Sequence, residues 1–259
     1  MAPSFLMKSR FVGLAVAVLG KSGRQLQILR KVVRPGDIVF DVGAHTGDFT
    51  IFFAHLVGPS GRVHAFEPVP PTFEKLCRKV KLARVHDRVV LNKCALSDSR
   101  GRSLIHVPRN DSTEAALVIH HFASWTSAPV ASYDCKLETL DNYAVVNKIS
   151  KVDFVKIDVE GAETLVMKGM RNVLTDSPPL LMLEVFPPWM RDFEVSLGDL
   201  FSFLRNRGYI FYFIGKDKLV SCHDPLDVSD LLSFPNFLDF ICLIPEIHRD
   251  RISFAIATY

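Results

Sequence analysis

From Asp37 onward, short apolar runs rich in β-branched residues alternate with stretches whose apolar residues recur at helical spacing. A chain patterned this way has few options: strands lie side by side in parallel, and helices cross over both faces of the sheet. The first unit is the most explicit. After the turn signal Pro35-Gly36, the run Asp37-Ile-Val-Phe-Asp-Val42 is too apolar to lie half exposed. Gly43 to Gly47 then makes a turn, and Phe49, Phe52, Phe53 and Leu56 follow at helical spacing until the stop signal Gly58-Pro59.

The pattern repeats downstream. Arg62 to Phe66 predicts a second strand, and Pro70 and Pro71 suit the first turn of a helix that buries Phe73, Leu76, Cys77 and Val80. Val89 to Cys94 predicts a third strand. The stretch from Ser97 to Tyr133 is the least regular, with a strand over Leu104 to Val107 and a polar loop from Arg109 to Glu114. It reads either as a substrate-shaping insertion on a rigid frame or as a solvated hairpin. Val152 to Val159 and Leu180 to Val185 predict two more strands, with a helix from Glu163 to Leu174 between them. Ser196 and Asp199 resemble a capping box ahead of Leu197, Leu200, Phe201 and Leu204, and Gly208 ends that helix. No clear helical pattern separates Tyr209 to Ile214 from Phe237 to Ile244, so these two strands are expected to pair antiparallel. The expected fold is α/β, doubly wound and Rossmann-like, with a C-terminal antiparallel strand pair. At 259 residues it fits one domain over residues 37–259, preceded by a basic N-terminal helical segment, residues 1–36.

Charge separates the two parts. Before Asp37 the charged side chains are seven cations and no anion; removing them from 31 basic residues leaves 24 against 28 acidic, a net of −4. A body of that sign offers no nucleic-acid face. The apolar stretch Phe11 to Leu19 is too short to span a bilayer, which takes roughly 20 apolar residues. It is expected to pack on the domain, with contact to a membrane surface as the alternative. Five cysteines at wide spacing, with no C-x-x-C pair, argue against a disulfide framework or a zinc knuckle and for a reducing, cytoplasmic setting.

The turn between the first strand and first helix is where chemistry is expected. Glycines at 43 and 47, with Ala44 between them, let backbone approach a ligand closely and present amide N–H groups. Asp41 sits at the carboxyl end of the strand, where open α/β sheets bind ligands. Glu67, at the end of the second strand, is placed to accept hydrogen bonds from both hydroxyls of a ribose. A dinucleotide site wants G-x-G-x-x-G around a pyrophosphate; here the spacing is Gly43-x-x-x-Gly47 with a carboxylate just upstream. A carboxylate repels a pyrophosphate and attracts an ammonium, which favours S-adenosylmethionine over a nicotinamide cofactor.

Five segments in order carry a family resemblance: Val39-Phe-Asp-Val-Gly-Ala-His-Thr-Gly47, His64-Ala-Phe-Glu-Pro68, Ala95-Leu-Ser-Asp98, Thr139-Leu-Asp141 and Val155-Lys-Ile-Asp-Val-Glu-Gly-Ala-Glu163. Together they resemble the successive motifs of FkbM-type methyltransferases, from about Val39 to Phe186. The resemblance implies a class I methyltransferase fold, S-adenosylmethionine as donor, and transfer to a hydroxyl oxygen of a sugar or other small molecule. It implies that Asp41, Gly43 and Gly47 line the methionine end, that Glu67 binds the ribose, and that Ala95 and Leu96 lie near the adenine. His45 stands where related sequences often carry Asn.

A hydroxyl acceptor must also lose a proton. Strand alternation puts Lys156, Asp158 and Glu160 on one side near the end of the fourth strand, and Glu184 ends the fifth. Such carboxylates can supply a base, ligate a hard cation or hold the cofactor ammonium. Asp158 is expected at the junction of cofactor and acceptor, with Glu160 or Glu184 as proton acceptor. A divalent metal is not favoured, because no His lies near these acids in sequence. His120 and His121 are expected on a loop surface, and Trp189 either lines an acceptor pocket or packs. The competing functions are a non-catalytic binding module that keeps the fold, a nicotinamide dehydrogenase, and a membrane-peripheral protein using its basic N-terminus. The intact acidic set counts against the first, and Asp41 with the missing third glycine against the second.

Overall fold

A computed structural model describes residues 23–108, 113–121, 123–127, 129–214, 219–222 and 238–256. The apolar run Phe11 to Leu19, most of the basic segment and the start of the polar loop at Arg109 lie outside the described residues.

The main sheet has eight strands: β1 (Ile38–Val42), β2 (Arg62–Phe66), β3 (Val89–Asn92), β7 (Phe154–Ile157), β8 (Leu180–Val185), β9 (Ile210–Ile214), β10 (Leu219–Cys222) and β11 (Leu238–Leu243). Their order is β10-β9-β11-β8-β7-β1-β2-β3. From β3 to β8 neighbours run parallel, whereas β11 runs antiparallel to both β8 and β9. The C-terminal strands therefore pair as their sequence spacing implies. β10 adds a short antiparallel edge beyond β9 that the sequence pattern does not announce.

Alternation along the strands feeds two cores. Phe40, Val42, Val155 and Ile157 point into one layer, while Val39 and Phe154 point into the other. Helices α1 (Gly23–Val32), α2 (Asp48–Val57) and α3 (Pro70–Leu82) cover the second face through Leu26, Leu29, Phe53 and Leu76. The opposite face is covered by α4 (Leu140–Val146), α5 (Glu163–Lys168), α6 (Arg171–Asp176) and α7 (Leu197–Arg205). α7 begins with the expected capping box: Ser196 Oγ accepts from Asp199 N, and Asp199 Oδ2 accepts from Ser196 N. It ends at Arg205, three residues before Gly208. The last helix, α8 (Pro245–Ile256), ties the chain ends together. Its Arg251 pairs with Asp37 and Asp153 at the start of β1 and β7 and donates to the Val32 carbonyl of α1.

Two departures from the sequence pattern matter for the site. The helix expected from Glu163 to Leu174 is interrupted at Gly169 and Met170, and Gly169 lies so close to the Ser97 carbonyl oxygen that a Cβ there would stand 2.0 Å from it. The irregular stretch builds a second sheet in which β6 (Val130–Glu138) pairs with β4 (Ala95–Leu96) and β5 (Gly101–Pro108). β6 interleaves exposed Ser132, Asp134 and Lys136 with half-buried and buried residues, so it has no apolar run to announce it. Among the described residues, no helix is long and apolar enough to cross a membrane.

Candidate active site

The parallel strands β1, β2, β7 and β8 deliver their carboxyl ends to one edge of the sheet, and strand order reverses between β1 and β7. Ligands of open α/β sheets bind in the crevice at such a switch point. A cleft of about 370 Å³ opens there, within the range of small-molecule sites. Gly43, Ala44, Glu67, Ala95, Leu96, Asp158, Glu160 and Glu184 all line it, so four strand ends and the β4 segment meet in one place.

Asp41 and Gly47 do not line the cleft. The Asp41 side chain is fully buried beneath it, with Oδ2 accepting from Thr50 Oγ1 at 2.5 Å and Oδ1 without a partner. Gly47 is the left-handed residue that opens α2, and a Cβ on it would meet Leu76 Cδ1 at 2.4 Å. Both residues support the turn from behind.

The turn itself is a run of tied amides. Gly43 and Ala44 donate to the Phe66 carbonyl at 3.1 and 2.9 Å, Gly47 donates to the Ala44 carbonyl, and His45 donates to Glu67 Oε2 at 2.9 Å. The expectation of open N–H groups around a ligand therefore fails for these four. Those of Gly43 and Ala44 join β1 to β2, that of Gly47 closes the turn, and that of His45 fixes Glu67, whose Oε1 accepts from Val69 N at 2.8 Å. Burial pushes the Glu67 carboxyl up to about 7, although the bonds from Val69 and His45 pull it down. Each oxygen keeps lone-pair capacity for a further donor, so the group can receive the two hydroxyls of a diol.

Across the cleft the charges are organised by Lys156, which is 1% exposed. It stands opposite Asp41 in the β1–β7 register, pairs with Asp158 Oδ2 at 2.7 Å and lies 4.8 Å from the centre of the Phe49 ring. Burial alone would lower the ammonium's pKa. The carboxylates of Asp158, Asp41 and Glu184 overcome this and raise it. The remaining acids are pushed the other way. Burial, then the charges of Asp158 and Glu184, holds the Glu160 carboxyl well above its usual range; burial, Asp158 and Asp239 do the same for Glu184. Glu163 is almost fully buried, accepts from Gly161 N at 3.1 Å, and is pushed by burial up to about 7.

The connection after β5, within the irregular stretch, supplies Thr113, Glu114, Ala115 and Leu117 to the cleft lining. His120 is buried, contrary to its expected loop surface. It bridges Asp192 Oδ2 at 2.6 Å and the Glu160 carbonyl at 3.0 Å, and its ring stacks on Trp189 at 4.8 Å. Glu160 has a left-handed φ of 55°, and this clamp holds its backbone from behind. Trp189 packs there and is not part of the lining. Among the described residues, no group of three or more His, Cys, Asp or Glu side chains is arranged to hold a metal ion.

Residues 41–211 match the methyltransferase FkbM domain, well over half of the 259-residue chain. The chain belongs to the FkbM methyltransferase family. Similar proteins include the 31-O-demethyl-FK506 methyltransferase FkbM of Streptomyces tacrolimicus, 29% identical over 68% of this chain and 74% of that protein. The hexuronic acid methyltransferase AglP of Haloferax volcanii is 29% identical over 58% of this chain and 56% of its own length. The 2-O-methyltransferase NoeI of Sinorhizobium fredii is 25% identical over 58% of this chain and 63% of its own.

As an FkbM methyltransferase, the protein takes its methyl group from S-adenosylmethionine. The cleft fits that donor on its own chemistry: its lining combines a buried, doubly anchored carboxylate at Glu67, apolar Phe66, Ala95, Leu96 and Ile105 suited to a flat ring, and the acidic group of Asp158, Glu160 and Glu184.

Proposed function

We infer that this methyltransferase acts on a hydroxyl oxygen of a small molecule or sugar, and that the acidic end of the cleft is where the acceptor loses its proton. The observation that carries this reading is the position of Glu184. It ends β8 on the cleft wall beside Asp158 and Glu160, half-buried, with a carboxyl held above its usual range by burial and its acidic neighbours. A carboxyl poised nearer neutral pH than an exposed one is a better-matched proton acceptor for transfer chemistry. Among the relatives, one is named for a 31-O position, one for a 2-O position and one for a hexuronic acid.

In this reading Glu67 receives the ribose hydroxyls, Gly43 and Ala44 form the surface under the methionine end, and Ala95 and Leu96 flank the adenine. Asp158, paired with Lys156, stands at the junction where donor and acceptor meet. Asp41 acts from below through Lys156, and Gly47 through the placement of α2. The cofactor supplies an activated methyl group on a sulfonium. The protein's own part is to hold the acceptor in line, which contributes roughly 7–11 kcal/mol in well-oriented systems, and to take its proton. None of the five cysteines is joined in a disulfide, which fits a cytoplasmic setting.

The test is a panel of hydroxylated metabolites and oligosaccharides incubated with the protein and S-adenosylmethionine carrying a labelled methyl. The labelled product should be a methyl ether, stable to mild base. Label recovered on nitrogen or carbon would overturn the assignment of the acceptor atom.

A further inference from the structure

Behind Glu184 lies a second carboxyl that the cleft does not reach. Asp239 of β11 is the register partner of Glu184 on β8, directly opposite across an antiparallel ladder, so both side chains lie on the same face of the sheet. Glu184 lines the cleft and Asp239 does not. Their carboxyl groups are thus cross-strand neighbours, and burial pushes the Asp239 carboxyl up to about 6 while hydrogen bonding to the side chains of Gln25 and Glu184 pulls it down. Gln25 is buried on α1, and Asp239 Oδ1 is buried with no partner. Two ionised carboxylates have no donor between them. A bond between them therefore requires one proton, held in common.

This arrangement removes a difficulty in using Glu184 as a base. A single buried carboxyl that keeps its proton near neutral pH has nowhere to put another. We propose that Glu184 and Asp239 work as one proton-sharing unit, with Glu184 facing the acceptor and Asp239, anchored by Gln25, as the positioning residue behind it. The proposal rests on the reading of Glu184 as proton acceptor.

The balance is simple. Before transfer the pair holds one proton and a charge of −1. The acceptor O–H bond breaks, its electron pair stays on the acceptor oxygen, and its proton goes to the Glu184 oxygen facing the cleft. The shared proton moves onto Asp239 at the same time. The pair is then neutral with two protons, and one returns to water after product leaves. Burial and the groups facing Glu184 set where this happens: burial, Asp158, Asp239 and Glu163 raise its pKa, Lys156 lowers it, and its own charge raises the Glu160 carboxyl. Asp239 feels Asp158 and Lys156 in the same senses, and the Gln25 bond lowers its pKa.

The experiment is a carboxyl-carbon NMR titration of the full chain labelled at Glu and Asp, with the two resonances assigned by their loss in Glu184→Gln and Asp239→Asn. In the wild type the pair should titrate in two linked steps, each visible at both resonances. In Asp239→Asn, Glu184 should titrate in one step with its midpoint lower by about one pH unit or more, since a like charge is gone and an amide donor takes its place. Gln25→Leu leaves both carboxyls in place and should keep the linked steps while raising the lower midpoint. An unchanged Glu184 midpoint in Asp239→Asn, or independent steps in the wild type, would overturn the proposal. Linked steps together with wild-type transfer by Glu184→Gln would instead retire the proton-acceptor reading and leave the pair standing.

Discussion

Gly43→Val should lose both fold stability and cofactor binding, and even Gly43→Ala should lose much of each. Gly43 has φ of +80°, and a Cβ there would lie 1.8 Å from the Asp158 carbonyl oxygen. The left-handed conformation costs about 1–2 kcal/mol for a residue with a side chain. The clash is with backbone, which no rotamer change relieves, so the β1–α2 turn must move off the end of β7. That movement separates Glu67's anchor at His45 from Asp158 and opens the cleft floor. A total near 3–5 kcal/mol is expected, which for a domain of this size lowers the melting temperature by roughly 6–20 °C. A melting curve within about 2 °C of wild type would show that the turn and the β7 end are not packed as described.

Glu184→Gln should lower the rate of methyl transfer by roughly 10²–10⁴-fold while leaving cofactor affinity near wild type. The substitution keeps shape and the capacity to form hydrogen bonds, and it removes the charge and the ability to take a proton. Glu184 lies on the acidic side of the cleft, whereas the doubly anchored Glu67 is on the other side, so a packing effect on the cofactor is not expected. Single-turnover rates with saturating donor separate the transfer step from binding. Transfer at the wild-type rate would move the proton acceptor to Glu160, a further half-buried acid of the cleft lining that is not paired with Lys156 as Asp158 is.

The sheet was readable because its central strands are predominantly apolar, and the polar residues within them, such as Asp41, His64 and Lys156, are themselves buried. Phe40, Val155, Leu181 and their neighbours are buried on both faces, and burial of that kind leaves no polar alternation to confuse the pattern. β6 and β10 escaped for the opposite reason. β6 interleaves exposed polar residues with buried ones and β10 is short, and what holds them is ladder pairing to β5 and β9, which a linear pattern does not display. The close approach of Ser97 to Gly169 joins positions far apart in the chain, and contacts of that kind are written nowhere in the local sequence.

The site divides in the same way. Residues at strand ends, such as Glu67, Asp158 and Glu184, could be placed because topology alone brings them to one edge. The direction in which each side chain points could not. Asp41 reads as a ligand by position, yet its neighbours Thr50 and Lys156 draw it beneath the floor. The glycines read as room for a ligand, yet at Gly43 the room is taken by the Asp158 carbonyl and at Gly47 by Leu76. His120 joins Asp192 and Glu160 across 72 and 40 residues, and nothing near it in the sequence marks that bridge.

The central claim is that the cleft at the β1–β7 switch point holds the methyl donor through Glu67. Calorimetric titration of the full-length protein with S-adenosylhomocysteine tests it most directly, run at pH 8, where a carboxyl poised at about 7 is ionised. Hydrogen bonds to a charged group are worth about 1.5–3 kcal/mol, so Glu67→Ala should bind roughly ten- to hundredfold more weakly than wild type. Affinity equal to wild type in a Glu67→Ala protein that melts normally would contradict the account and place the donor elsewhere.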